Sequence, residues 1–284
     1  MTHPISKHPQ LSRRRLMAIG LATGAAWTLA ACGEKKPAET AAAPAAPASA
    51  PAAAAPAGRV YVVGTDAAYA PFESQGPGGD IVGFDMDVLN AVAAKAGISL
   101  KFVNTPWEGI FNTLASGERD MVISAVTITP ERQQTMDFSA PYFDATQLIA
   151  VKAGSKVQKF DDLKTLKVGV QNGTTGDEVV QKLQGKASPN IRRFESTPLA
   201  LKELESGGVD AVVADNGVVA HYIANNPAAQ FVSLQDASFA PEQYGIAFKK
   251  GNAELQGKIN TGLAAIRADG TYDAIYARYF GAKK

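Results

Sequence analysis

Short apolar segments alternate with amphipathic helical segments from residue 60 to residue 280, and this alternation restricts the fold more than any other feature. Val60–Gly64, Leu100–Asn104 and Met121–Ser124 have the length and apolar content of buried strands. Asp87–Ala96 and Trp107–Ser116 carry apolar residues at helical spacing, and a glycine follows each of them. Strands that alternate with helices indicate βαβ units and mostly parallel sheets.

The same alternation starts again after residue 151, which predicts a second unit of the same kind. The predicted strands are Lys167–Val170, Ile191–Phe194 and Ala211–Ala214, and the predicted helices are Gly176–Leu183, Pro198–Glu205, Val218–Ala224, Asn252–Ala268 and Tyr272–Tyr279. About 225 residues follow the N-terminal region, and a chain of that length can form two modest cores. We therefore predict an α/β protein with two lobes.

A strand followed by a helix start predicts an anion-binding position early in the chain. Thr129 and Pro130 are typical of a helix N-terminus, because a hydroxyl caps the helix and proline suits its first position. Free backbone N–H groups and the helix dipole favour an anion there. Arg132 adds a planar guanidinium that fits a carboxylate, and Thr127 adds a hydroxyl at the same edge. A surface ion pair is the alternative for Arg132.

The segment Ser124–Arg132 resembles the signature of the polar amino-acid-binding proteins of ABC importers, the family 3 bacterial solute-binding proteins. The other motifs that carry the resemblance, in the order of that family, are Gly64–Glu73, Val82–Asp87, Gly173–Thr175, Val209–Asp215, Gln243–Phe248 and Arg267–Tyr272. Together the motifs span residues 60–281.

This resemblance implies a two-lobed periplasmic-binding-protein type II fold, also called a Venus flytrap, with two crossings between the lobes. Lobe 1 would consist of residues 59–147 and 243–284, and lobe 2 of residues 148–242. The C-terminal helices would return to lobe 1, which periodicity alone does not reveal. Open α/β sheets bind ligands at the carboxyl ends of their strands, so we expect the ligand in the cleft.

The resemblance also implies how a zwitterionic amino acid is held. Arg132 and Thr127 would hold the α-carboxylate, together with the N–H groups near Thr175, and the neighbouring Ala125 is a further candidate ligand contact. Asp215 of lobe 2 would bind the α-ammonium, and an alternative role for it is to cap the helix that follows. The ligand would bridge both lobes only after they close.

The predicted side-chain pocket favours a basic amino acid. The resemblance places Asp66, Tyr69 and Trp107 in this pocket, where two aromatic faces suit an alkyl stem or a guanidinium. Glutamine-binding relatives have a lysine where this chain has Gln171, so the Asp66 carboxylate needs a cation from the ligand. Arginine, lysine, ornithine or histidine would supply that cation. Glutamine is the alternative ligand. If a basic neighbour such as Lys249 or Arg192 reached Asp66, it would supply the cation itself, and a basic ligand would no longer be favoured.

The N-terminal region is typical of an exported lipoprotein. Residues 1–31 form the predicted signal peptide, with a twin-arginine-like Ser12–Met17. Leu29–Cys32 resembles a lipobox, which implies that Cys32 carries the lipid, and residues 32–58 form an Ala/Pro-rich tether. The chain has 28 Lys+Arg and 27 Asp+Glu, and four of the basic residues would leave with the signal peptide. The slightly acidic remainder does not favour nucleic-acid binding.

An enzyme on the same fold, such as a cyclohexadienyl dehydratase or a lytic transglycosylase, is the main alternative. His221 is the one histidine of the predicted folded part, and neither a hydrolase nor a zinc-protease motif is present. Glu73 and Glu108 are candidate acids, and we expect both to be solvated or ion-paired at the surface. A sensory ectodomain is disfavoured. We therefore predict a monomeric, cofactor-free binding protein that serves an ABC permease.

Overall fold

The computed structural model describes residues 58–282, and these residues form fifteen strands and eight α-helices. The strands are β1 (Val60–Thr65), β2 (Ala68–Tyr69), β3 (Glu73–Gln75), β4 (Ile81–Val82), β5 (Ser99–Asn104), β6 (Met121–Val122), β7 (Met136–Phe138), β8 (Phe143–Ala145), β9 (Gln147–Lys152), β10 (Val168–Gln171), β11 (Ile191–Phe194), β12 (Ala211–Asp215), β13 (Phe231–Leu234), β14 (Glu242–Tyr244) and β15 (Ala247–Lys249). The helices are α1 (Phe84–Ala96), α2 (Ile110–Ser116), α3 (Pro130–Thr135), α4 (Thr175–Gln184), α5 (Thr197–Ser206), α6 (Asn216–Asn225), α7 (Ala253–Ala268) and α8 (Thr271–Phe280).

Two five-stranded sheets form the centres of two α/β layers. The first sheet has the order β5-β1-β6-β15-β7 and the second has the order β11-β10-β12-β9-β13. In each sheet the first three strands are parallel, as predicted, and the last two pair antiparallel with their neighbours. The antiparallel strands adjoin the crossings between the sheets, where the chain returns without a crossover helix. The two-lobed α/β fold is therefore as predicted, with sheets that are mixed.

Two crossings connect the sheets and pair with each other. β8 lies between the strands of the first sheet and β9 of the second, and β14 lies on the return path. The two strands pair antiparallel, with Glu242 opposite Ala145 and Tyr244 opposite Phe143. Thr127 forms an isolated bridge to Tyr244, which ties the crossings to the segment after β6.

A cluster of aromatic side chains joins the first sheet, the crossings and the C-terminal helices. The rings of Phe72 and Phe143 lie 4.9 Å apart, and those of Phe84 and Phe280 lie 5.2 Å apart. Tyr272 of α8 donates its hydroxyl hydrogen to the carbonyl oxygen of Tyr142 at 2.6 Å. The C-terminal helices therefore pack with the core of the first sheet, in agreement with the return that the resemblance implied.

Several predicted element boundaries differ from the structure, among them those of β6, α2 and α1. The strand at Met121 ends at Val122, and the following residues turn the chain toward α3. The helix predicted from Trp107 begins at Ile110, because Gly109 adopts a left-handed conformation with φ of 93° immediately before it. α1 begins at Phe84, three residues earlier than predicted, because its first turn holds buried residues.

The predicted signal peptide, the tether and Cys32 lie outside the described residues. Within residues 58–282, no helix is both long enough and apolar enough to cross a membrane.

Candidate ligand-binding site

One polar cavity lies where the carboxyl ends of the parallel strands in both sheets meet. It is lined by every residue that the sequence indicated for ligand contact. The lining residues are Asp66, Tyr69, Trp107, Ser124, Ala125, Thr127, Arg132, Gln171, Thr174, Thr175 and Asp215. Residues from both sheets therefore surround one space.

Arg132 forms the positive end of the cavity. Thr129 caps α3 by accepting from the backbone N–H of Arg132 at 3.2 Å, as the sequence predicted. The Arg132 guanidinium donates to the carbonyl oxygens of Thr127 at 2.9 Å and Gly173 at 3.4 Å. It also lies over the ring of Trp107, at 5.3 Å from the centroid. Both hydrogen bonds go to carbonyl oxygens, and within residues 58–282 no carboxylate forms an ion pair with this guanidinium, so the surface-ion-pair alternative is not observed there.

Ala125 is held in an unusual conformation by a buried carboxyl group. Its φ is 46°, in the left-handed region, and its N–H donates to Oδ2 of Asp85 at 2.9 Å. The hydroxyl of Tyr142 donates to the same oxygen at 2.8 Å. Asp85 therefore fixes the backbone that forms this wall of the cavity.

Glu73 supports the adjacent residue, and the prediction that it is a surface acid was wrong. It is fully buried and accepts at Oε1 from the Ser124 hydroxyl at 2.9 Å. Ser124 in turn accepts from the backbone N–H of Asp66 at 3.0 Å. The strand β3 carries Glu73 under the cavity wall, a position that its local sequence does not reveal. Glu108 is exposed, as expected.

Glu73 and Asp85 form a buried pair of carboxyl groups whose pKa values are both raised. Glu73 Oε2 and Asp85 Oδ1 are buried and accept from no donor among the described residues. Burial, followed by the nearby Asp85 carboxyl, raises the pKa of Glu73 well above its usual value. Burial raises the pKa of Asp85 to about 6. Two adjacent carboxylates in a dry interior cannot both ionise cheaply, so a proton between them supplies the missing donor.

Asp215 forms the negative end of the cavity at the end of β12. Its Oδ1 accepts from Nε2 of Gln147 at 2.5 Å and its Oδ2 accepts from the hydroxyl of Tyr244 at 2.5 Å. Burial and the negative charge of Glu242 raise its pKa to about 6. Its side chain makes no capping hydrogen bond to α6, so the alternative role as a helix cap is not observed.

Glu242 lies near the cavity and was not among the predicted site residues; Ser124 and Thr174, which line the cavity, were not predicted either. Its Oε2 accepts from the hydroxyls of Thr127 at 2.7 Å and Thr175 at 2.9 Å, and its Oε1 accepts from Nε2 of Gln147 at 2.8 Å. It begins β14, a strand too short to show a periodic pattern. The only signal in the sequence was an acidic residue within the predicted crossing.

Asp66 and Gln171 face each other across the other end of the cavity. Nε2 of Gln171 donates to Oδ2 of Asp66 at 3.2 Å and to the carbonyl oxygen of Glu195 at 3.1 Å, while its Oε1 accepts from the hydroxyl of Thr197 at 3.0 Å. Burial raises the pKa of Asp66, and the hydrogen bond from Gln171 only partly offsets that rise. Among the described residues, neither Lys249 nor Arg192 is a cause of the pKa shift of Asp66, so neither supplies the cation that would weaken the case for a basic ligand.

Tyr69 and Trp107 belong to the same cavity and have different surroundings. Tyr69 is buried and its ring stacks on Phe72 with centroids 6.3 Å apart. Trp107 is half-buried, packs edge-on against Phe111 at 5.1 Å and lies under the Arg132 guanidinium. Both rings therefore combine core packing with a face toward the cavity.

Thr175 lies where α4 begins, opposite the end of β6. The hydroxyl of Thr174 caps α4 by accepting from the N–H of Asp177 at 3.2 Å. The backbone N–H groups of this first turn lie at the cavity, where the helix dipole favours an anion. Arg132 and the start of α4 thus contribute positive charge from the two sides of the cavity.

Two mixed α/β sheets joined by paired crossings, with one polar cavity lined from both, define a two-lobed solute-binding protein. The chain matches the bacterial extracellular solute-binding proteins, family 3, over residues 61–282. It belongs to this family, whose description agrees with the predicted location outside the cytoplasm.

Known proteins similar to this chain are named for binding amino acids. A probable histidine-binding protein of Neisseria gonorrhoeae is 45% identical over 273 residues, which cover 95% of this chain and 97% of that protein. The structure of the arginine-, lysine-, histidine-binding protein ArtJ of Geobacillus stearothermophilus is 48% identical, with a TM-score of 0.77 over 80% of this chain and 97% of that one. These names agree with the prediction of a binding protein rather than an enzyme.

The chain is also similar to an ancestral arginine-binding protein, whose structure is known with arginine and with glutamine. Its structure with arginine is 43% identical, with a TM-score of 0.75 over 78% of this chain and 98% of that one. Its structure with glutamine has the same identity and a TM-score of 0.73.

Proposed function

We propose that this chain is the binding component of an ABC importer and that it binds a basic L-amino acid in the cavity between its lobes. Arg132 and the start of α4 would hold the α-carboxylate, and Asp215 would hold the α-ammonium. Asp66 would pair with the cation of the side chain, between the faces of Tyr69 and Trp107. Relatives named for histidine or arginine binding support this choice.

The observation that carries the basic specificity is the environment of Asp66. Its carboxylate lies in the cavity, burial raises its pKa, and an amide of Gln171 is its side-chain partner. A carboxylate that is desolvated without a cation is costly. A guanidinium, ammonium or imidazolium group of the ligand would remove this cost, whereas the neutral amide of glutamine would remove only part of it.

The proposed mechanism is closure of the two lobes on the ligand. Arg132 follows β6 of the first sheet, whereas Asp215 ends β12 of the second. A ligand that contacts both therefore favours the closed arrangement, and its differential affinity sets how far the population shifts. We propose that the closed form is what the permease recognises. The lobe limits would be those predicted, at residues 147–148 and 242–243.

A thermal-shift screen against the twenty amino acids and ornithine tests the ligand class. We expect arginine, lysine, ornithine or histidine to raise the melting temperature most, since a ligand at a hundred times its Kd stabilises the native state by about 2.7 kcal/mol. The Asp66→Asn variant should lose this preference and gain relative response to glutamine. A response of the unmodified protein to glutamine alone would favour the runner-up ligand, and no response to any of these compounds would contradict amino-acid binding.

We also propose that the protein is a monomer that a lipid on Cys32 attaches to the membrane, with residues 32–58 as a tether. Support comes from the lipobox-like Leu29–Cys32 and the Ala/Pro-rich composition after it. Fractionation of cells that express Cys32→Ser tests the anchor. The variant should move from the membrane to the soluble periplasmic fraction, whereas retention in the membrane would contradict a lipid anchor.

A further inference from the structure

The carboxylate of Glu242 uses both of its oxygens on groups that surround the cavity. Thr127 and Thr175 donate their hydroxyl hydrogens to Oε2, and Gln147 donates to Oε1. Thr127 follows β6 of the first sheet, whereas Gln147 begins β9 of the second sheet and Thr175 begins α4. Glu242 itself lies on the crossing strand β14. One carboxylate therefore determines the orientation of hydroxyls on both sides of the cavity.

These hydrogen bonds fix what the two hydroxyls can offer to a ligand. A hydroxyl has one hydrogen to donate and two lone pairs that accept. Because Thr127 and Thr175 direct their hydrogens to Glu242, their oxygens can only accept elsewhere, and the Thr175 oxygen already accepts from Nε2 of Gln147 at 3.2 Å. Lone pairs suit an ammonium, which donates, and do not suit a carboxylate, which only accepts.

The negative charges of Asp215 and Glu242 also favour an ammonium group near the two hydroxyls. Nε2 of Gln147 lies 2.5 Å from Oδ1 of Asp215 and 2.8 Å from Oε1 of Glu242, so two carboxylates converge on one amide. The charge of Glu242 is among the causes that raise the pKa of Asp215. Within residues 58–282, no ion pair joins either carboxylate to a basic side chain. The charge of Arg132 acts on both carboxylates, but among the described residues it forms no ion pair with either, so the α-ammonium of a ligand would supply a direct cationic partner.

We propose that Glu242 is a positioning residue for the α-ammonium of the ligand. It turns the hydroxyls of Thr127 and Thr175 into acceptors and adds a second negative charge behind Asp215. Thr127 then belongs to the ammonium end rather than the carboxylate end that the sequence suggested, while Arg132 and the backbone N–H groups of α4 bind the carboxylate. This inference rests on the proposed amino-acid binding, and it adds a residue that distinguishes free amino acids from compounds without an α-amino group.

The test compares ligands with and without the α-amino group on Glu242→Gln. The probes are L-arginine, its methyl ester and 5-guanidinopentanoate, which lacks the amino group, with dissociation constants from calorimetric titration and competition. We expect the variant to bind L-arginine and the ester at least about tenfold more weakly, because a hydrogen-bonded charge is lost. Its affinity for 5-guanidinopentanoate should stay within about twofold of the unmodified protein. Glu242→Asp keeps the charge and should lose less affinity.

A matched control is Glu254→Gln, an exposed acid on α7 that pairs with Lys258, and it should bind all three probes normally. An equal loss for all probes in Glu242→Gln would show a purely structural role and overturn the inference. Tighter binding of L-arginine would overturn it too, because Glu242 would then compete with the ligand carboxylate. If the screen selects another amino acid, the same comparison uses that compound and its deamino analogue. Failure of the unmodified protein to bind any amino acid would instead contradict the proposed function.

Discussion

Neighbouring polar groups hold the two main charged side chains of the cavity, Arg132 and Asp215, in place. Arg132 donates to two carbonyl oxygens and Asp215 accepts from an amide and a phenol, so each is held in place without its charge being neutralised. Such preorganised charges bind an oppositely charged group without much reorganisation. If either Arg132 or Asp215 is removed, the other residue can still bind its end of a zwitterionic ligand. The opposite end of the ligand is then desolvated without a partner of opposite charge.

Arg132→Ala should weaken amino-acid binding by two to three powers of ten or more. This corresponds to roughly 3–5 kcal/mol, the usual cost of leaving one member of a buried charge pair alone. Calorimetric titration measures the effect. Arg192→Ala is the matched control, because Arg192 is exposed on β11, and it should bind normally. A loss below tenfold for Arg132→Ala would contradict its role as the carboxylate ligand.

The pair formed by Glu73 and Asp85 should make stability fall as the pH rises. Both pKa values are raised in the folded protein, so between the ordinary carboxyl pKa of about 4 and the raised values the folded state binds more protons than the unfolded state. Stability contributed by the shared proton is therefore present at low pH and is lost as the pH passes about 6 and above. Denaturant unfolding between pH 5 and about 9 tests this dependence.

Glu73→Gln separates the shared proton from other titrating groups. Its amide can donate to Asp85 Oδ1 at any pH, so the variant should lose less stability between pH 5 and about 9 than the unmodified protein. Asp215 titrates in both proteins and cancels in the comparison. The exposed Glu108→Gln should leave the pH profile unchanged. Parallel profiles for Glu73→Gln and the unmodified protein would argue against a shared proton.

At the scale of elements, the sequence predicted long periodic segments well and short segments poorly. The strand Ile191–Phe194 has the predicted limits, α7 begins one residue later than predicted, and α8 extends one residue further at each end. The crossing strands β8 and β14 have three residues each, too few for a period to be visible. Glu242 was missed for this reason, while the remaining cavity residues came from motifs of a recognised family rather than from periodicity.

Helix packing depends on one glycine of α7 that permits close approach to α1. A Cβ atom on Gly262 would lie 2.7 Å from the carbonyl oxygen of Val92 and 2.8 Å from its Cγ1. Gly262→Ala should therefore destabilise the protein by about 1–3 kcal/mol, since the helices must separate. Gly257→Ala is the matched control, because Gly257 lies in the same helix with nothing within 4 Å of its Cβ position.

Denaturant unfolding measures both glycine variants. Gly257→Ala should be neutral or stabilising by up to about 1 kcal/mol, because alanine favours a helix more than glycine does. Equal stability changes in the two variants would contradict the claim that close packing, rather than helix propensity, selects glycine at residue 262.

For the whole molecule, a small set of hydrogen bonds crosses the cavity within residues 58–282. Gln171 donates to Asp66 at 3.2 Å, the Arg132 side chain donates to the backbone carbonyl oxygen of Gly173 at 3.4 Å, and Glu242 bridges Thr127 and Thr175. Each of these contacts involves a charged group, and hydrogen bonds of that kind contribute about 1.5–3 kcal/mol. A ligand that forms ion pairs with both sides of the cavity would outweigh them and so control closure.

Small-angle scattering should show a smaller radius of gyration when a saturating basic amino acid is added. The reason is that the ligand contacts both lobes only when they are closed. Arg132→Ala at the same ligand concentration should keep the larger radius. An unchanged radius for the unmodified protein, despite calorimetric binding, would contradict closure as the mechanism.

The proposed roles divide the cavity residues into those that would hold or position any amino acid and those that would choose among them. Arg132, Asp215 and Glu242 have the first role in this proposal, while Asp66 and Gln171, which hydrogen-bond to each other, have the second. Exchanging the latter two side chains would then change the nutrient that is bound while the groups that hold the amino-acid backbone stay intact. Gene duplication followed by such exchanges would diversify what a cell takes up through very few codons.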